Sequence, residues 1–251
     1  MRLCADGLPR WGAGLLLGAL LLAVPPAVAQ SLFGEADGPA QAFTIGYVGV
    51  DFTYNGDARP EPTFEFEGPV VGVRFARPGF VAALAYGAHT QDGADRRLLD
   101  VNLMLWGEWQ PFALATQSRA RFFVPVVLHS GYRRVSRPGA DDDLLEAFEF
   151  SVLGLGTGGG FRYAGARVGI EARATPAVGL ALRSFGEGTG LSTFVEADVQ
   201  VHVARVAGRL GLSAGVGYRL QTWNGGGSGF LAGDFFDYRG EQRSFRLGVN
   251  W

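Results

Sequence analysis

The most constraining feature of this chain is an apolar–polar alternation at period two that persists far longer than in an ordinary strand. Over Leu191–Arg205, Val195, Ala197, Val199, Val201 and Val203 share one parity, and Glu196, Asp198, Gln200 and His202 share the other. Successive side chains of a strand point to opposite faces, so one face of this segment is aliphatic and the other charged. Ala166–Ser184 repeats the pattern, with Val168, Ile170, Ala172, Ala174, Val178, Leu180 and Leu182 set against Arg167, Glu171, Arg173 and Arg183. Gly208–Thr222 sets Leu210, Leu212, Val216, Tyr218 and Leu220 against Gly211, Ser213, Gly215, Gly217, Arg219 and Gln221. Arg97–Trp109 sets Leu99, Val101, Leu103 and Leu105 against Asp100, Asn102, Met104 and Glu108. Strands of soluble proteins cluster near ~5–6 residues, whereas strands crossing a bilayer need ~9–11. Length therefore selects a strand with lipid outside and a polar lumen inside over the half-buried strand of a sandwich.

The pattern predicts ten strands, near 43–54, 64–76, 80–90, 97–109, 120–133, 148–163, 166–184, 191–205, 208–222 and 240–251. Links after the odd strands are polar and often long, ending with Trp223–Arg239. Links after the even strands are mostly tight: Arg77-Pro78-Gly79, Ala164-Gly165 and Val206-Ala207, with Gln110–Arg119 the longer exception. Short periplasmic turns alternating with longer outer loops is the arrangement of outer-membrane barrels. Hydrocarbon cannot hydrogen-bond an exposed strand edge, so such a sheet must close. The fold expected is all-β, a closed antiparallel up-and-down transmembrane β-barrel. Eight or twelve strands stay open, because Thr175-Pro176-Ala177 could split one strand and Gly154–Gly160 could hide a bend. Aromatic residues gather at both strand ends and are read as two headgroup girdles. Phe75, Phe80, Trp109, Phe122, Phe161, Tyr163 and Trp251 form one, and Phe52, Tyr54, Phe64, Tyr86, Tyr132, Phe148, Phe194, Tyr218 and Trp223 form the other.

The N-terminus supplies the export route. Arg2 and Arg10 supply a positive region ahead of an apolar run from Trp11 to Val24, and Ala27 and Ala29 occupy the small-residue positions of an A-x-A site. This is a secretory signal, with cleavage expected between Ala29 and Gln30. The run is too short for a ~20-residue membrane helix. Residues 1–29 are then the signal peptide, 30–41 a short periplasmic segment and 42–251 the barrel. Cys4, the sole cysteine, precedes the apolar run, so it is no lipid-attachment site, and the mature chain has no thiol or disulfide. Every basic residue is Arg, the net charge is −2, and no basic block marks a nucleic-acid surface.

In the last strand Phe245, Leu247, Val249 and the terminal Trp251 alternate with Arg246, Gly248 and Asn250. A final alternating strand that stops on an aromatic residue resembles the C-terminal assembly signal of outer-membrane proteins. With the signal peptide and barrel pattern, the chain resembles the small barrels of the OmpA membrane-domain, OmpX and opacity-protein group over most of residues 42–251. That resemblance implies a Gram-negative outer membrane, lipid as the surrounding partner, and recognition of the last strand by the barrel-assembly machinery. No peptidoglycan-binding domain is expected after the barrel.

Parity predicts a lumen charge network of Arg74, Asp100, Arg167, Glu171, Arg173, Arg183, Glu196, Asp198, Arg219 and Arg246, with Asp51 and Glu108 beside it. The balance of signs suggests internal ion pairs, tolerable inside a protein when each charge is partnered. Inward small residues such as Ala83, Ala85, Gly215 and Gly217 leave room for water or for long Arg side chains from facing strands. Barrels of this strand count are generally filled. His89, His129 and His202 have inward parity but do not share a level, so no metal site and no cofactor are expected. The function expected is a non-enzymatic barrel with a structural, surface-interaction or narrow-pore role, porin-like in the last case, with the outer loops as the place for an extracellular ligand. The alternative is a barrel enzyme at the extracellular rim. An omptin-like protease would draw on His89, Asp92 and Asp95 or on Asp141, Asp142 and Asp143. The other form is a lipid-modifying hydrolase. Oligomeric state is not encoded in these patterns.

Overall fold

The alternating segments form strands of the expected length. In the computed structural model they are β1 (Ala42–Tyr54), β2 (Phe64–Arg77), β3 (Phe80–Gln91), β4 (Ala94–Trp109), β5 (Ala120–Ser136), β6 (Ala147–Thr157), β7 (Gly159–Ala164), β8 (Val168–Arg183), β9 (Thr189–Ala207), β10 (Leu210–Asn224) and β11 (Tyr238–Asn250). The structure describes residues 41–54, 64–91, 94–109, 119–136, 147–183, 189–224 and 238–251. The expected signal peptide, its expected Ala29/Gln30 junction and most of the 30–41 segment lie outside these residues, as do the tips of the longer loops.

Apart from β6 and β7, each strand pairs antiparallel with its neighbours in sequence, and the first strand pairs with the last from Ala42↔Asn250 to Tyr54↔Tyr238. The sheet is therefore a closed ring with no free edge. β6 and β7 both pair with β5 on one side and β8 on the other, so the eleven segments occupy ten positions around the ring. The interruption is at Gly158, where a Cβ would run into the carbonyl of Ala174 on β8. The glycine-rich stretch does hide a bend. Pro176 does not split β8, because it sits where β8 passes from β7 to β6 as partner, between Gly159↔Ala174 and Gly156↔Ala177. A residue without an N–H is tolerated where the ladder is already interrupted.

Two described turns are tighter or later than the sequence suggests. β2 and β3 join at Pro78-Gly79, with Gly79 at φ 75°. β9 continues through Ala207, so the expected Val206-Ala207 turn moves to Gly208-Arg209, with Gly208 at φ 63°. The register shifts between Leu210 and Leu212, and Arg205 takes φ 57° beside that bulge.

The outer surface is a continuous apolar belt. Ile45, Tyr47, Val71, Leu155, Leu180, Leu212, Val216, Phe245 and Leu247 are each at least half exposed or close to it, reaching 63% at Leu155 and Leu180. Monomeric soluble proteins rarely expose an apolar patch beyond a few hundred Å². A belt that encircles a closed sheet is the lipid-facing surface of a transmembrane barrel. Asp51, Glu67, Arg239 and Arg243 face outward near the loop-side ends of β1, β2 and β11 and mark the belt's upper limit. Asp51 is thus corrected from lumen to outer rim: Thr44, Val50 and Phe52 are buried, which gives the lumen to the even residues of β1.

The loop-side girdle also needs correction. Tyr86 and Tyr218 face outward as expected, but Phe52, Phe148, Phe194 and Trp223 are buried within the barrel. Height along a strand does not decide which face a ring occupies; parity does. On the turn side Trp109, Phe122 and Trp251 are exposed, whereas Phe80 is buried. The side chains of Tyr54 and Phe64 lie outside the described residues.

Candidate functional site in the barrel lumen

Three layers fill the lumen. The loop-side layer is apolar: Phe52, Phe66, Leu98, Phe148, Phe150, Trp223 and Tyr238 form one buried cluster with smaller aliphatic residues. Phe150 and Tyr238 stack at 4.6 Å with ring planes 12° apart, Phe52 lies 5.1 Å from Tyr238, and Phe150 lies 5.6 Å from Trp223. These residues come from six different strands, so the cluster ties the walls together at the loop-side end. Sequence reasoning assigned Tyr238 to an outer loop. It is instead the first residue of β11, with its hydroxyl hydrogen-bonded to Arg133 Nη1 at 2.8 Å.

The middle layer is a charge network. The Asp100 carboxylate accepts Arg133 Nε at 2.6 Å, Gln242 Nε2 at 3.1 Å and the amide of Asn102. Arg219 reaches Asn102 and donates to Gln221 at 3.0 Å, and Gln221 continues to Ser192 at 3.3 Å. Asp198 receives Arg74 on one oxygen at 3.4 Å and Arg246 on the other. Gly215 and Gly217 supply the space for Arg246, whose guanidinium nitrogens lie 3.2 and 3.1 Å from where their Cβ atoms would be. The small inward residues at this point accommodate an arginine. A cavity of about 100 Å³ remains, lined by Arg74, Asp100, His129, Asp198, Arg219 and Arg246 among others. His129 is fully buried against Phe194 at 4.5 Å, with no hydrogen-bond partner for either ring nitrogen among the described residues.

The turn-side layer joins Arg162 to Glu108 at 2.5 Å and to Glu171 at 2.8 Å. Arg162 also lies over Phe123 at 5.1 Å, and Arg173 over Trp106 at 5.1 Å. His202 pairs with Ser213 at 2.8 Å, and Asn250 donates to the same hydroxyl at 2.9 Å. A second cavity of about 50 Å³ lies here, and Arg74 lines both cavities.

Eight of the ten residues expected in the network are placed inside: Arg74, Asp100, Glu171, Arg173, Glu196, Asp198, Arg219 and Arg246. Arg167 is corrected. It precedes β8 in the turn and is exposed, because the strand starts two residues later than the alternation suggests. Arg183 stands opposite Phe150 in the register, and its side chain lies outside the described residues. Arg133 and Arg162 were missed, yet parity marks both: each lies between residues of the outward set, Tyr132 and Arg134 in one case and Phe161 and Tyr163 in the other.

The rim residues considered for catalysis do not assemble among the described residues. Asp95 accepts a hydrogen bond from Thr90 at 2.5 Å, and His89 is exposed beside Gly68. Asp92 and Asp141–Asp143 lie outside the described residues. No metal-binding group of three or more ligands occurs among the described residues. Phe245, Leu247, Val249 and Trp251 face outward, and Arg246 and Asn250 face inward, as the alternation requires.

Ring closure, the lipid-facing belt and the occupied lumen together define a closed transmembrane β-barrel. No protein-family pattern matches the sequence, and no characterised protein matches it in sequence. Solved outer-membrane barrel structures are similar in outline. One is the translocator domain of the autotransporter NalP from Neisseria meningitidis, at 11% identity and TM-score 0.34, covering 96% of this chain and 97% of that one. Another is Ail, the attachment invasion locus protein of Yersinia pestis, in complex with the heparin analogue sucrose octasulfate. It has 9% identity and TM-score 0.29, and covers 84% of this chain and 97% of that one. A third is the toluene transporter TodX of Pseudomonas putida, at 10% identity and TM-score 0.24, covering 92% of each chain. The fold assignment rests on this chain's own strand register.

Proposed function

We propose that this is an outer-membrane protein of a Gram-negative cell that works as a closed, non-enzymatic scaffold presenting its loop-side end. The observation that carries this reading is the aromatic cluster across the loop-side lumen, backed by the ion-paired layer from Asp100 to Arg246. A conducting pore of this width needs a continuous polar path, and that path is filled here by rings contributed from five strands. The export signal ending at Ala29 and the outward Phe245, Leu247, Val249 and Trp251 support insertion by the barrel-assembly machinery. The outer loops are then the place for a surface ligand, since loops on a rigid scaffold commonly carry binding.

Single-channel recording of the refolded mature barrel in a planar bilayer tests this reading. A folded, heat-resistant barrel with no discrete openings is expected. Stable openings whose selectivity changes on Arg219→Gln would replace the scaffold reading by a pore. Turnover of a peptide or lipid substrate that disappears in His89→Ala would replace it by an enzyme.

A further inference from the structure

The turn-side cavity holds buried donors that meet no hydrogen-bond acceptor among the described residues. Arg173 is 4% exposed, and its Nε and Nη2 have no hydrogen-bond partner among the described residues. The nearest printed carboxylate oxygen is Glu196 Oε1 at 3.6 Å, beyond hydrogen-bond reach. Gln200 is 6% exposed, and its Nε2 is also without a partner. Its amide orientation is set by Arg74, which donates to Oε1 at 3.1 Å, so the NH2 end is the end left over. Both side chains line the same cavity of about 50 Å³, together with Arg74, Arg77 and Arg162.

The nearby carboxylates are already committed. Glu108 and Glu171 both bind Arg162, and Asp198 binds Arg74 and Arg246. Four arginines and one glutamate, Glu171, line the cavity. Glu196 offsets the Arg173 charge at 3.6 Å, but a buried donor without an acceptor still costs about 1–3 kcal/mol. In the middle cavity Arg219 and Arg246 also keep an unpartnered Nε, but each guanidinium there reaches an acceptor through another nitrogen: Arg219 meets Asn102 and Gln221, and Arg246 meets Asp198.

We infer that this turn-side cavity is a binding site for one small inorganic anion of the chloride or phosphate kind, held by Arg173 and the Gln200 amide. The size fits that class. A cavity of about 50 Å³ has room for a small ion, well above the ~10–15 Å³ that one water needs. Charge-assisted hydrogen bonds from Arg173 then replace the acceptors the chain does not supply. The site holds whether or not the lumen conducts, so it is independent of the scaffold reading.

Trp106 lies 5.1 Å from the Arg173 guanidinium and serves as the reporter. The refolded mature barrel in a neutral, phosphate-free detergent is titrated with sodium chloride or sodium phosphate against sodium gluconate at constant ionic strength. A saturable change in tryptophan emission with chloride, phosphate or both is expected, and the separate titrations tell the two anions apart. Arg173→Gln should weaken the apparent affinity about tenfold or more, the size of one hydrogen bond to a charged group. Gln200→Glu places a carboxylate in the cavity and should abolish the response while leaving the barrel folded by heat-modified mobility. Arg243→Gln, on the exposed outer rim, should titrate like the unmodified protein. If Arg173→Gln fails to refold, Gln200→Glu decides alone. A flat titration of the unmodified barrel, or a response unchanged in Gln200→Glu, overturns the site.

Discussion

Asp100 and Arg133 face each other directly across the β4–β5 ladder, and the arginine Nε reaches the carboxylate at 2.6 Å inside the barrel. Gln242 reaches the same carboxylate from β11, well around the ring, at 3.1 Å. One carboxylate thereby anchors two separate parts of the wall. Asp100→Ala leaves Arg133 buried without its charge partner, which costs about 3–5 kcal/mol. The expected result is a lower urea midpoint for the refolded barrel. The double variant Asp100→Leu with Arg133→Met should recover much of that loss, because an apolar pair of similar volume carries no desolvation penalty. A midpoint unchanged by Asp100→Ala would show that the pair is not a structural anchor.

Phe150 stacks on Tyr238 at 4.6 Å within the loop-side aromatic cluster. Phe150→Ala removes the ring between Tyr238 and Trp223 and should cost about 3–5 kcal/mol in stability. It should also let small ions pass, so a silent barrel becomes a leaky one in a planar bilayer. If Phe150→Ala combined with Phe148→Ala stays silent while folded, the aromatic layer is not the barrier.

Gly217 is small because Arg246 and Asp198 need the space above it. A Cβ there would meet Ser244 Oγ at 2.8 Å, Arg246 Nη1 at 3.1 Å and Asp198 Oδ2 at 3.3 Å. Gly217→Val should therefore displace Arg246 from Asp198 and destabilise the barrel by about 1–3 kcal/mol through overpacking. Adding Arg246→Ala should relieve the clash, so the two losses should be less than additive in a double-variant cycle of urea midpoints.

Depth along the outer face gives a test of membrane insertion. Val199 is outward-facing and 41% exposed within the apolar belt, whereas Asp51 faces outward at the charged upper rim. Val199→Arg should cost about 2–4 kcal/mol in lipid vesicles, and Asp51→Arg about 0–1 kcal/mol. Equal costs at both positions would remove the bilayer from the account of this surface.

The strands were legible because period-two alternation is a local property that each segment carries by itself. Val195 to Val203 show the lipid face without reference to any other strand, and eight of the ten expected lumen charges followed from the same parity. Height on the strand is a weaker guide than parity: Phe52 and Trp223 lie at girdle level, but their parity with Val50 and Gln221 places them inside. The turn after β9 comes later than the alternation suggests because the bulge at Arg205 lets the strand run on to Ala207.

What the sequence determined by itself is the class of fold: long alternating strands, an apolar outer face and a polar inner one, forced to close because lipid cannot satisfy a free edge. The tertiary structure alone decided which inward residues meet. Arg74 and Asp198 are 124 positions apart, and Arg133 and Tyr238 are 105 apart, so no local pattern could pair them. Pairing across the lumen depends on register, strand order and the tilt of the whole ring, which are set only when the last strand joins the first. The same closure brings Arg173 and Gln200 to one cavity and commits the neighbouring carboxylates to Arg162, Arg74 and Arg246, leaving Arg173 Nε and Gln200 Nε2 without a hydrogen-bond acceptor among the described residues.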